Sequence, residues 1–404
     1  REFCKLWNEA GTLDPNPGNS FSLCDIATKT SNPINPPTNA ADAKTAGVLQ
    51  LLNVLSVSPS ARIHNLLLLS KGERNNRSRS HEQAAQTATM DVALEFLDPL
   101  ILDKAYAWAL PSAPLGIDYS NGTSPHKFSA AQTTSQWPRD NIYRQIISIL
   151  ALTQIGAMSL YLIFSALSYY LVFDRRLEYH PRFLKNQVRQ EIISSFSAVP
   201  FINLLTLPIF LAEVRGHSLL YSNANEYGWT WLAVSTVLYM AFNDFAIYWI
   251  HRLEHHPSVY KYIHKPHHKW IVPTPWAALA FHPLDGFIQS TPYHLFVFIC
   301  PMQRHLYMVL FVAVQIWTIF IHDGDMISGH WTEKWLNSPA HHTLHHMYFT
   351  VNYGQYFTWA DTYFGSHRAP QPELDPLHDA LKVLRAKGLV DENDQLIKKK
   401  KKTE

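Results

Sequence analysis

Residues 251–256 read HRLEHH, residues 264–268 read HKPHH, and residues 341–346 read HHTLHH. Fifteen of the chain's 22 histidines fall between His251 and His346, with His282, His294, His305, His322 and His330 spaced among the three groups. Spacing carries more than number. His251 and His255 are four residues apart, so on a helix they project from one face, one turn from each other. His264, His267 and His268 repeat the pattern of His342, His345 and His346, H-x-x-H-H. Three such turns facing a common centre supply eight imidazoles. That is more than one tetrahedral ion uses, and it suits two metal ions. A single histidine is ordinarily a surface or satisfied core residue. A gathering of eight in one poorly solvated place leaves nitrogens without partners unless cations sit among them.

The surrounding sequence places these turns at a membrane. Apolar residues make up 47% of the chain and charged residues 16%, against about 25% charged in ordinary soluble domains. Aromatic residues are 13%, including 12 Trp and 19 Tyr, as interfacial belts require. A formal net charge of +2 gives no basis for a nucleic-acid partner, and three scattered cysteines make neither a disulfide framework nor a metal knuckle.

Gln145–Phe173 is free of charge and long enough for a tilted span. Ile192–Ala212 is a second such stretch; its Pro200 and Pro208 are tolerated in membrane helices. Trp229–Ile250 is a third and runs directly into His251. The loop 174–189 holds five Lys/Arg and the loop 213–228 one, so the positive-inside rule puts the first loop, His251 and the C-terminus in the cytosol. Phe287–Ile299 and Leu306–Ile321 are each short for a crossing. If all three groups share one site, an even number of crossings must separate them. Residues 287–321 therefore form a hairpin, spanning or re-entrant. The expected fold is an all-α polytopic membrane helical bundle, three long spans plus a short hairpin, capped by a cytosolic histidine-rich di-metal domain.

The domain division follows. Residues 1–89, rich in Asn, Pro, Ser and Thr, read as a disordered extension or an artefact of gene prediction. Residues 90–144, beginning MDVALEFLDPL, read as a lumenal region with an amphipathic helix, and Asn121-Gly122-Thr123 there is a glycosylation candidate at Asn121. Residues 145–250 carry the three spans, 251–370 the histidine region, and 371–404 a polar basic tail. Lys401 and Lys402 stand where a dilysine retrieval signal for the endoplasmic reticulum would, or form a solvated basic end attracted to anionic membrane lipid. Asp244 lies inside the third span, where a carboxylate is costly. It shares a helix face with residues 248, 251 and 255, and is expected either to accept the second N–H of a ligand imidazole or to reach interfacial water.

Imidazole suits zinc, copper and iron. The acids at hand, Asp285, Asp323 and Asp325, form no hydrolytic HExxH arrangement. A histidine-rich pair of irons can instead activate O2 against an unactivated C–H bond, and at the ends of membrane helices the natural substrate is a lipid.

These boxes resemble those of the membrane-bound fatty acid hydroxylase/sterol desaturase superfamily. The connecting text KPHHKWIVPTP, AFHPLDGF, IHDGD and NYGQYFT resembles its sterol C-5 desaturase (lathosterol oxidase) branch, over roughly Met90 to Pro370. The sequence departs at Leu279, where the branch has a histidine. The resemblance implies an endoplasmic reticulum membrane enzyme with two iron ions. It would take O2, and electrons from cytochrome b5 and its reductase, ultimately from NAD(P)H. The reaction would remove two hydrogens from a Δ7-sterol to give a Δ5,7-sterol. The implied ligands are His251, His255, His264, His267, His268, His342, His345 and His346, with His256 as an alternative to His255 and with His282 and His322 added. His341 is expected just behind the ligands, and His294, His305 and His330 at the hairpin or interface. The rival readings are sterol C-4 methyl oxidation or sphingolipid or fatty acid hydroxylation on the same scaffold. From another class comes metal transport, which would place ligands inside the spans near the midplane.

Overall fold

The computed structural model describes residues 92–112 and 134–397. Segment 1–89, Asn121 and the terminal lysines Lys401 and Lys402 lie outside the described residues. The chain opens with two short helices, α1 (Val92–Leu97) and α2 (Asp103–Ala109), joined by a π-turn. Three long helices follow: α3 (Ile142–Leu171), α4 (Gln187–Val214) and α5 (Gly228–Glu254). After the short α6 (Pro257–Tyr260) come α7 (Pro283–Ile299), α8 (Arg304–Phe320), α9 (Pro339–Tyr348), α10 (Trp359–Tyr363) and α11 (Leu377–Ala386). Two-residue strands, β1 (Leu220–Tyr221) and β2 (Met302–Gln303), pair in parallel.

Among the described residues α3, α4 and α5 are long and apolar enough to cross a membrane, and the chain is a membrane protein. Their surfaces are arranged for lipid. Ile155, Leu162, Ile163 and Leu167 of α3 and Ile193, Phe196, Phe201 and Leu204 of α4 are exposed, whereas Ser165, Ser168, Ser195 and Asn203 are buried. Small and polar residues between helices allow close approach and interhelical hydrogen bonds where lipid offers none. Asn203 donates to Gln154 at 2.9 Å. Tyr161 and Ser165 donate to the carbonyls of Trp276 and Pro275.

The start of α3 is fixed by Asn141, whose side chain accepts from the N–H groups of Tyr143 and Arg144. Arg144 reaches back to Asp98 at 2.6 Å and Asp103 at 2.5 Å. This fastens the opening helical segment to the first span.

The hairpin is α7 and α8, turning at Cys300–Gln303. It returns the chain to its starting side. Asp285, at the entrance to α7, bonds His264, and His322, just beyond α8, meets His267. The end of α5, both feet of the hairpin, and the loops at 174–186 and 270–280 thus share one end of the bundle. Gln187, at the start of α4, donates to the Val272 carbonyl, which ties the basic loop to that same end.

Candidate metal centre

Each histidine is delivered by a short, definite piece of backbone. The last turn of α5 carries His251, and His255 is its C-cap; their ring centroids lie 5.2 Å apart. The turn after α6 places His264, and a 3₁₀ turn at His267–Lys269 adds His267 and His268. On α9, His342, His345 and His346 project together, and Phe349 at φ 66° ends the helix.

The rings gather into two sets, buried except for half-buried His255. His251, His255, His264, His268 and His345 form one; His267, His322, His342 and His346 form the other. In the first, Nε2 of His268 lies 3.0 Å from that of His255, 3.1 Å from His264 and 3.1 Å from His345. His251 and His264 are 3.2 Å apart. In the second, His342 Nε2 lies 3.0 Å from His322 and 3.1 Å from His346, and His322 is 3.4 Å from His267. The sets adjoin, with the His268 and His346 rings 4.9 Å apart.

The donor set fits metal ions. His251, His345, His322 and His346 point Nδ1 at the carbonyls of Tyr353, Val351, Thr318 and Trp270 at 2.6–3.0 Å. A neutral ring that donates there has only a lone pair at Nε2. His342 therefore faces two lone pairs with at most one hydrogen to offer, and His268 faces three nitrogens. Such contacts repel unless cations stand among them. Nitrogens about 2.0–2.1 Å from a metal sit about 3.0–3.4 Å from one another, which is the spacing observed. Burial, reinforced by neighbouring imidazoles, holds His255, His267, His268, His342, His345 and His346 below the ordinary histidine range. Burial brings His322 down to about 4. Burial thus holds these seven rings toward the neutral form that binds metal.

A cavity of about 380 Å³, within the range of small-molecule sites, leads from this centre into the bundle. His251, His267, His322 and His342 stand in its wall with Leu160, Val199, Leu279, Phe281 and Ile319. A lipid in this cavity would contact both histidine sets.

Residues 236–366 match the fatty acid hydroxylase family model. The chain is 74% identical over 332 residues to the Delta(7)-sterol 5(6)-desaturase erg3C of Aspergillus fumigatus, covering 77% of this chain and 99% of that one. It is 65% identical to the Delta(7)-sterol 5(6)-desaturase ERG3B of Gibberella zeae, over 77% of this chain and 99% of that one. With human lathosterol oxidase it shares 51% identity over 58% of this chain and 79% of that one. No solved structure matches. The chain belongs to the Delta(7)-sterol 5(6)-desaturase family.

All eight imidazoles expected from spacing in this desaturase come together, and His322 joins them. His256 and His282 do not. Each precedes a proline that opens a helix, and each ring is the N-cap: His256 Nδ1 accepts from Ser258 N–H and His282 Nδ1 from Leu284 N–H. His180 Nδ1, before Pro181, likewise accepts from Arg182 N–H, in a turn that opens no helix. A His-Pro pair thus marks a ring turned back onto the backbone two residues on, and it separates His256 from His255. His341 is fully buried at N3 of α9, where its ring joins the Ser338 capping box beside His367. Of the remaining three, His294 bonds Tyr307, His305 bonds Gln303, and His330 caps the turn at 331–334.

Asp244 also differs from expectation. Its Oδ1 accepts from the backbone N–H groups of Tyr356 at 2.8 Å and Phe357 at 3.1 Å, not from a ligand ring. Seven residues of helix, about 10 Å, separate it from His251, beyond an aspartate's reach. It anchors the loop whose Tyr353 carbonyl holds His251. Asp361 secures the same loop, accepting from the N–H groups of Tyr353 and Gly354 at 2.8 Å. Gly354 is required there, because a Cβ would stand 2.5 Å from the Phe357 carbonyl oxygen. The carboxylate that meets a clustered ring is Asp285, 2.8 Å from His264 Nδ1.

Proposed function

We propose that this chain is a sterol C-5 desaturase, which removes the hydrogens at C-5 and C-6 of a Δ7-sterol to give the conjugated Δ5,7-diene of sterol (ergosterol-type) biosynthesis. One observation carries the reading: two sets of clustered imidazoles stand side by side at the head of an apolar cavity that opens within a membrane bundle.

We assign His251, His255, His264, His268 and His345 to one metal and His267, His322, His342 and His346 to the other, in keeping with their two clusters. Two irons held there would supply the activation of O2. The rest is done by the chain. The cavity wall orients the rigid ring system and excludes water, and Asp285 with the carbonyls of Thr318, Val351, Tyr353 and Trp270 keeps Nε2 of each held ring aimed inward. The balance is one sterol, one O2, two electrons and two protons to one diene and two waters. We assign the electrons to cytochrome b5 and its reductase, drawing on NAD(P)H. We place the enzyme in the endoplasmic reticulum membrane with 251–370 as the catalytic region. The metal centre faces the cytosol, because the basic loop 174–189 lies at its end of the bundle.

The test is expression in a sterol-producing cell that lacks this desaturation. Microsomal sterols are expected to gain the ultraviolet bands of a Δ5,7-diene. Iron-loaded protein without diene would overturn the reading in favour of C-4 methyl oxidation or lipid hydroxylation.

A further inference from the structure

The reaction sets a distance condition on its substrate. In a 3-hydroxysterol three covalent bonds, about 4 Å, separate the hydroxyl oxygen from C-5. The group that receives the hydroxyl must therefore stand close to both histidine sets.

The most conspicuous polar group in the cavity fails this condition. Glu213, His294 and Tyr307 line it, with His294 Nδ1 2.9 Å from the Tyr307 hydroxyl and that hydroxyl 3.3 Å from Glu213. Tyr307 is at the start of α8 and His322 lies just past its end. Tyr307 and Phe320 are 13 residues apart on this helix, about 20 Å at 1.5 Å per residue. That trio faces the far end of the cavity. Gln289 also lines the cavity, but its Nε2 is fastened to Asp285 at 2.7 Å.

Gln355 meets the condition. It lines the cavity and is held at both ends, its carbonyl accepting from the Trp317 indole at 2.8 Å and its Nε2 donating to Thr318 Oγ1 at 3.1 Å. Thr318 presents its carbonyl to His322, of one set; Tyr353, two residues before Gln355, presents its carbonyl to His251, of the other. The amide is thus tied to the backbone that orients a ring of each set, in the cavity wall that His251, His267, His322 and His342 share. Its orientation is also fixed. Thr318 gives its only hydroxyl proton to the Val314 carbonyl at 2.9 Å, so toward Gln355 it can only accept, and Nε2 must face it. Oε1 then points away, and among the described residues nothing donates to it.

We propose that Gln355, oriented by Thr318, receives the 3-hydroxyl of the sterol. Oε1 accepts the hydroxyl proton and the second Nε2–H donates to the hydroxyl oxygen. This contact sets which ring carbons face the metals. It rests on the desaturase reading.

The test compares kcat/KM for a Δ7-sterol and its 3-deoxy analogue, with the full-length enzyme in membranes. The wild type is expected to favour the hydroxysterol at least about tenfold, as a site that hydrogen-bonds a hydroxyl does. Gln355→Leu is expected to bring that ratio near one by losing rate on the hydroxysterol while keeping turnover of the deoxy compound. Should Gln355→Leu fail to accumulate, Thr318→Val frees the amide and is expected to lower the ratio by about threefold or more. A wild-type ratio retained in these variants, or a ratio that collapses in Gln289→Leu instead, would overturn the assignment. A wild-type enzyme that desaturates neither compound would sink the desaturase reading itself.

Discussion

His345→Ala, accumulated at the wild-type level, is expected to lose Δ5,7-diene output by about a hundredfold or more, measured by ultraviolet absorbance of extracted sterols. Its Nε2 meets His268, which contacts three rings of the set. Removing it opens a coordination position and frees the set that it closes. Changing a group that merely supports a ligand costs about 10–100-fold, and losing the ligand costs more. His264→Ala is expected to behave alike. His256→Ala supplies the contrast. Its exposed ring makes only an N-cap at 3.4 Å, so output is expected within about twofold of wild type, as for surface changes generally. A His345→Ala enzyme with near-normal output would remove that ring from the metal set.

Asp285→Ala is expected to lower turnover by about 10–100-fold, with metal content of the purified protein falling in parallel. Asp285 is fully buried, and its Oδ2 lies 2.8 Å from His264 Nδ1. The carboxylate accepts the Nδ1–H of His264 and so fixes the tautomer that leaves Nε2 bare. Without it His264 can turn or protonate at the wrong nitrogen. Asp285→Asn keeps an acceptor at the same place and is expected to lose less. Equal loss in both variants, with metal retained, would point to a structural role only.

The two carboxylates near the site show which features the sequence made legible. Asp244 lies on the helix face of His251 and His255, so helical periodicity selects it, yet face alone ignores reach, and its side chain ends on the 356–357 backbone. Asp285 is 21 residues from His264 and has no periodic relation to it; only the hairpin's return brings them together. The H-x-x-H-H groups were readable because one helical turn dictates their geometry, and the parity of crossings fixed the hairpin. His322 is a lone histidine that spacing cannot promote, and it entered through family resemblance. The carbonyls that orient the rings leave no trace in the sequence, since every residue carries one. The N-cap roles of His256 and His282 were legible in the sequence itself, because each stands before a proline.

Paired metals beside an apolar cavity are what the desaturation requires of this chain. The most direct measurement is the metal content of purified, active protein, determined by elemental analysis alongside diene output. The account predicts about two irons per chain, and activity that disappears as chelation removes them and returns on reloading. Full activity in protein that carries no iron would contradict it.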